Sequence, residues 1–132
     1  MSKELYWLML TVAMTGLLWV PYILDRIAVR GLMGAMANPS PDDEPQSAWA
    51  QRMMAAHVNA VENLVVFAPL VLVAQALNVH SAATAFACAL YFWCRLAHVA
   101  VYTAGIPVLR TLAFAGGWAG QIILVLAIAG WM

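Results

Sequence analysis

Charge is what this chain has least of. Only 9% of its 132 residues are charged, six of each sign, so the formal net charge is zero, and no basic run occurs. Nucleic acid is therefore not an expected partner, because backbone phosphates require a concentrated positive surface. Cysteine is almost as scarce. Cys88 and Cys94 stand six positions apart in one apolar segment, a spacing that puts them on different faces of a helix and disfavours an internal disulfide. Both read as small apolar residues. No nucleophile elbow, phosphate-binding loop or Cys-x-x-Cys pair is present, and His57 and His80 read as headgroup-level histidines rather than metal ligands, so no metal is expected.

Apolar residues make up 65% of the chain, and the mean hydropathy is strongly positive. A soluble domain of this composition could not keep its surface wet, which points to an all-α integral membrane protein. Crossing a hydrocarbon core takes about 20 apolar residues. Leu5 to Leu24 meets that length in one piece, and its opening MSKELYWLML reads as a retained span rather than a cleaved signal peptide. The stretch RIAVRGLMGAMANPSPDDEPQS is a helix end followed by a polar loop. A second helix starts near Ser47, a candidate N-cap. Asn78 to Ser81 is a tight turn, a third helix rises from Ala82, and Gly105-Ile106-Pro107 breaks the chain before a fourth. Pro21 and Pro69 are expected to kink their helices. Gly116-x-x-x-Gly120 and the stretch SAATAFACAL allow close helix approach, within the bundle or between copies.

The clean apolar part of the second helix, Leu64 to Leu77, is too short to span, so Asn59, Glu62 and Asn63 are drawn into the membrane edge. By the same argument the third span takes in Arg95 and His98. Alternating helix direction then gathers Arg26, Arg30, Arg52, Asn59, Glu62, Arg95, His98, Tyr102 and Arg110 at one end of the bundle, opposite Lys3, Glu4 and His80. Five of the six Lys and Arg residues lie at the first end, so the positive-inside rule makes that end cytoplasmic and puts both termini outside.

Within this cluster Arg52, Asn59 and Glu62 share one helix face by spacing, and Arg95, His98 and Tyr102 share another. Ionisable groups at this depth are costly unless they find partners. Glu62 simply neutralising Arg95 or Arg110 is one reading. The other is a ligand site, because five arginines face one intramembrane acid and arginine forks suit carboxylates. An anion with more than one carboxylate is the expected ligand.

Taken together, Arg52-x6-Asn59-x2-Glu62-Asn63 leading into Phe67-Ala68-Pro69-Leu70, then Arg95-x2-His98-x3-Tyr102 and Pro107-x2-Arg110-Thr111, resemble the MAPEG family, membrane-associated proteins in eicosanoid and glutathione metabolism. The resemblance covers nearly the whole chain and extends to Arg30, eight residues before Asn38-Pro39. It implies one transmembrane domain over 1–132, with helices at about 5–29, 47–77, 82–103 and 108–131, assembled as a homotrimer. It further implies glutathione bound between subunits at the cytoplasmic end, by Arg30, Arg52, Asn59, Glu62, Arg95, His98 and Tyr102, with Arg110 beside the glutathione sulfur as the catalytic cation. Family members include membrane-bound transferases, peroxidases and leukotriene and prostaglandin synthases.

Such a site would act as a glutathione transferase or peroxidase. A free thiol with a pKa near 8.5 is mostly protonated at neutral pH, and a fixed cation in a low-dielectric site favours the nucleophilic thiolate. The partners expected are the chain's own copies, the lipid bilayer and an apolar small-molecule substrate entering from lipid. Short loops and the lack of a retention signal suggest a bacterial inner membrane. Three departures from the family pattern are Ala55, where glutathione-binding members commonly carry arginine, Val58, where some add another, and Phe114, where some carry an aromatic hydroxyl. They keep open a non-catalytic member of the family, and a membrane-embedded Glu62 also suits a small proton-coupled exporter.

Overall fold

In hydrocarbon, backbone groups can be satisfied only within helices or closed barrels. The computed structural model, which describes residues 1–132, is helical throughout, with no strand. Its elements are α1 (Lys3–Leu17), α2 (Trp19–Met36), α3 (Ala48–Ala76), α4 (Ala82–Ala104) and α5 (Pro107–Ile128). α1 and α2 form one apolar path, Lys3–Met36, and with α3, α4 and α5 they give four helices long and apolar enough to cross a membrane.

Two backbone breaks shape the first span. Pro21 has no N–H to donate to the Leu17 carbonyl, and the interruption falls at Leu18, whose N–H closes a tighter turn on the Thr15 oxygen at 3.4 Å. Gly31 sits at φ 74° and ψ 166°, outside helical space. Helical structure therefore resumes and runs to Met36 instead of stopping near residue 29, and a side chain at Gly31 would be strained there.

Buried carboxylates fasten the helices at both ends. Ser47 occupies the N-cap of α3, as its sequence position suggests, but its side chain does not cap the helix. Its hydroxyl donates to Asp25, which also accepts from the Ser47 N–H at 3.0 Å and from Gln46 Nε2 at 3.2 Å. Gln46 Nε2 donates in addition to the Tyr22 carbonyl at 2.7 Å, so α2 is tied to the start of α3. At the opposite end Thr84 donates to Glu4, and His80 Nδ1 lies 3.3 Å from the same carboxylate. Thr84 also completes a capping box with Ser81, which fixes the start of α4.

α4 and α5 form the most extensive helix pair. Glycine makes that possible: a Cβ on Gly120 would lie 2.8 Å from the Ala87 carbonyl oxygen, and one on Gly116 would collide with the Cys94 Sγ. The Gly-x-x-x-Gly stripe thus serves packing inside one bundle. Across the core Phe67 of α3 stacks on Tyr91 of α4 with ring centroids 3.7 Å apart, beside Leu8, Val71, Ala87, Cys88 and Leu124. Trp7 packs against Phe92 and Trp93. Val65, Leu72, Phe86, Leu112 and Trp118 are exposed, the apolar exterior that a lipid-embedded bundle requires.

Substituting Gly120→Leu should cost about 1–3 kcal/mol, because the obstructing atom is backbone and cannot move aside. Thermal unfolding in detergent would show it, and an unchanged midpoint would contradict the packing described. Asp25→Ala should leave the Gln46 and Ser47 donors unpaired and speed proteolysis within residues 37–47, read by limited digestion.

Candidate functional site

The antiparallel path brings the second half of α4, the start of α5 and the first half of α3 together at one end. The turn between α4 and α5 is set by Gly105, whose left-handed φ of 81° caps α4, and by Pro107 in the first turn of α5. Arg52 braces it: its Nε donates to the Thr103 carbonyl at 2.9 Å, and its guanidinium lies under Gly105.

Asn59, His98, Tyr102, Arg110, Thr111 and Phe114 line one cavity of about 220 Å³. No acid lines it. The Arg110 Cζ lies 4.5 Å from the centre of the Tyr102 ring, a cation–π contact that holds the guanidinium at the mouth. His98, 2% exposed, packs between the Tyr102 and Phe114 rings at centroid distances of 5.5 and 6.3 Å. Its Nδ1 is buried without a hydrogen-bond partner.

Behind this wall runs a polar relay. Arg95 is 2% exposed, and its Nη2 donates to Asn59 Oδ1 at 2.6 Å. Asn63 Nδ2 donates to the Asn59 carbonyl at 2.9 Å and to Asn59 Oδ1 at 3.3 Å. Gln121 of α5 donates to the Asn63 carbonyl at 3.3 Å. Gly117 packs against Arg95, where a Cβ would meet Arg95 Cδ at 3.4 Å, an ordinary contact distance.

Of the residues singled out in the sequence, then, Asn59, His98, Tyr102 and Arg110 share the cavity, and Arg95 stands directly behind it. Arg52 lines an adjoining cleft of about 500 Å³ with Gln46, Gln51 and Ala55, joined to the cavity by Tyr102. Arg30 is held apart: its Nε donates to the Glu44 carbonyl at 2.8 Å and Nη1 lies 3.6 Å from Asp43. Glu62 is also apart. Asn59 and Glu62 lie about 60° apart around α3, and the edge of its inward face falls between them. Asn59 faces the bundle while Glu62 is exposed in a groove with His57, Val58 and Val61. Within one chain Glu62 neutralises neither Arg95 nor Arg110.

The sequence reading counted Glu62 as the only acid among the arginines and overlooked Asp25, which is buried at this end. It also gave no role to Gln46, Gln121 or Thr111. Asp25 stands beside Arg26 in sequence, but Arg26 donates to Gln46 Oε1 at 3.0 Å instead. No local pattern signals that a carboxylate on α2 will close on Ser47.

No curated protein and no solved structure matches the chain. The family model described as "MAPEG family" matches residues 5–130. That span takes in the four apolar helices and every residue of the cavity and its supporting relay. The chain is a multi-pass integral membrane protein and belongs to the MAPEG family.

Proposed function

We propose that this chain is a membrane-bound glutathione transferase with peroxidase-like capacity, which activates a thiol against an apolar electrophile at the membrane edge. The observation that carries the reading is the cavity itself, where Arg110, Tyr102, Asn59 and His98 converge with no carboxylate among them. A donor-rich, acid-free pocket suits a ligand that brings its own negative charge. Family membership supports a glutathione-related role, and the adjoining Arg52 cleft offers polar surface for the remainder of a tripeptide.

Glutathione supplies the thiol, whose sulfur bonds to the electrophilic carbon as the leaving group departs with its electron pair. Arg110 is the cation that favours loss of the thiol proton. Its position in the first turns of α5 adds the positive end of the helix dipole to the same region. Arg52 and Asn59 hold carboxylate and amide oxygens. The exposed Glu62 and the tethered Arg30 are assigned to a neighbouring copy's site, which makes a homotrimer with intersubunit sites the assembly we propose. The apolar substrate enters from lipid past Phe114. The excess of arginine at this end makes it cytoplasmic, with both termini periplasmic in a bacterial inner membrane.

Ala55 favours a second reading. It lines the Arg52 cleft where a further arginine would strengthen carboxylate binding, and a chain that kept the fold without the chemistry would carry such a change. An intact trimer that binds no thiol would decide for that reading.

Conjugation of an aryl halide by the purified protein tests the proposal. Arg110→Ala should lower turnover about 100-fold, the usual cost of removing one aimed electrostatic group. It should also move the pH–rate midpoint upward, towards the thiol's free value near 8.5. Turnover and pH profile unchanged in the variant would remove Arg110 from the mechanism. Light scattering of the detergent-solubilised protein should give the mass of three copies.

A further inference from the structure

Arg95 is the most buried charged group in the chain, and it has no acidic partner. A guanidinium can only donate hydrogen bonds. Its contact with Asn59 at 2.6 Å therefore fixes which end of the Asn59 amide faces inward: the oxygen. The Asn63 side chain donates to the same oxygen, so that atom is fully used. The Asn59 amide nitrogen makes no hydrogen bond inside the chain and is not buried, and Asn59 lines the cavity.

We infer that Arg95 is a positioning residue, not a ligand contact: it locks the Asn59 amide so that only N–H donors face the cavity, which then selects an acceptor, a carboxylate or peptide carbonyl, at that point. This rests on the proposed thiol-binding function and deepens it. A free asparagine flips its amide and accepts donors and acceptors alike. One held by a buried cation cannot, because flipping would set its NH₂ against the guanidinium. The cavity wall formed by Arg110 and the locked Asn59 thus presents donors on both sides. Gln121 of α5 donates to the main-chain carbonyl of Asn63, which ties α5 to the same stretch of α3.

Purified full-length variants, assayed for thermal midpoint and for glutathione binding by calorimetry, test this. Asn59→Asp keeps an oxygen for Arg95 and adds charge to the bond, but shows the cavity an acceptor. Its midpoint should equal or exceed that of the parent chain, while glutathione affinity falls at least tenfold. Arg95→Met frees the amide and should weaken glutathione binding. Arg95→Lys, whose ammonium also only donates, should restore part of the affinity. Asn59→Leu should lower the midpoint by stranding the buried guanidinium, and adding Arg95→Met to it should recover stability.

Asn59→Asp binding glutathione as well as the parent chain would overturn the inference, as would Arg95→Lys behaving no better than Arg95→Met. Should the parent chain bind no glutathione, the proposed function fails. The lock is then judged by the midpoints alone: independent, additive losses for Asn59→Leu and Arg95→Met would overturn it, and mutual rescue would sustain it.

Discussion

A guanidinium buried in a membrane bundle, with a single side-chain oxygen for a partner, sets the terms for the polar end of this protein. Taking such a charge out of water costs several kcal/mol even after relaxation, so the oxygen that receives it must be held in place. Asn59 supplies the oxygen, Asn63 donates to the same atom, and Gln121 of α5 donates to the Asn63 main-chain carbonyl. Three helices are committed by that one requirement.

Polar groups at the two ends do different work. Around Glu4 the carboxylate is enclosed by Thr84 and His80 and joins α1 to α4. Around Asp25 a carboxylate joins α2 to α3. In both, the carboxylate oxygens find their donors inside the chain. At the cavity the matching is left open, with the His98 Nδ1 buried and unpartnered and the Arg110 guanidinium held by a ring face rather than an acid. Structural polar clusters consume their own hydrogen bonds, whereas a binding site leaves some for its ligand.

The sequence made much of this legible because hydrocarbon thickness and helix rise are fixed lengths. Counting residues from Leu64 back and from Cys94 forward was enough to draw Asn59 and His98 to one end of the bundle. The breaks at Asn78 and Gly105 then gave the antiparallel order. Legibility stopped at rotation and at contacts between distant segments. Asn59 and Glu62 look equivalent at a spacing of three, yet the 60° between them sends one into the bundle and the other to its surface. Asp25 meets Ser47 across a loop with no periodic signal, and Gly31 breaks α2 through a backbone angle that composition does not reveal. Arg95 was legible as a member of the polar cluster at this end of the bundle, but its burial was not.

The proposed function makes glutathione the ligand of this cavity, and its place in the bundle is the direct question. A structure of the protein with glutathione should show the tripeptide at the arginine-rich end, its sulfur beside the Arg110 guanidinium and an oxygen acceptor on the Asn59 amide nitrogen. Density for the tripeptide elsewhere, or a cavity lined by Asn59, Tyr102 and Arg110 that stays without ligand at saturating glutathione, would contradict the account.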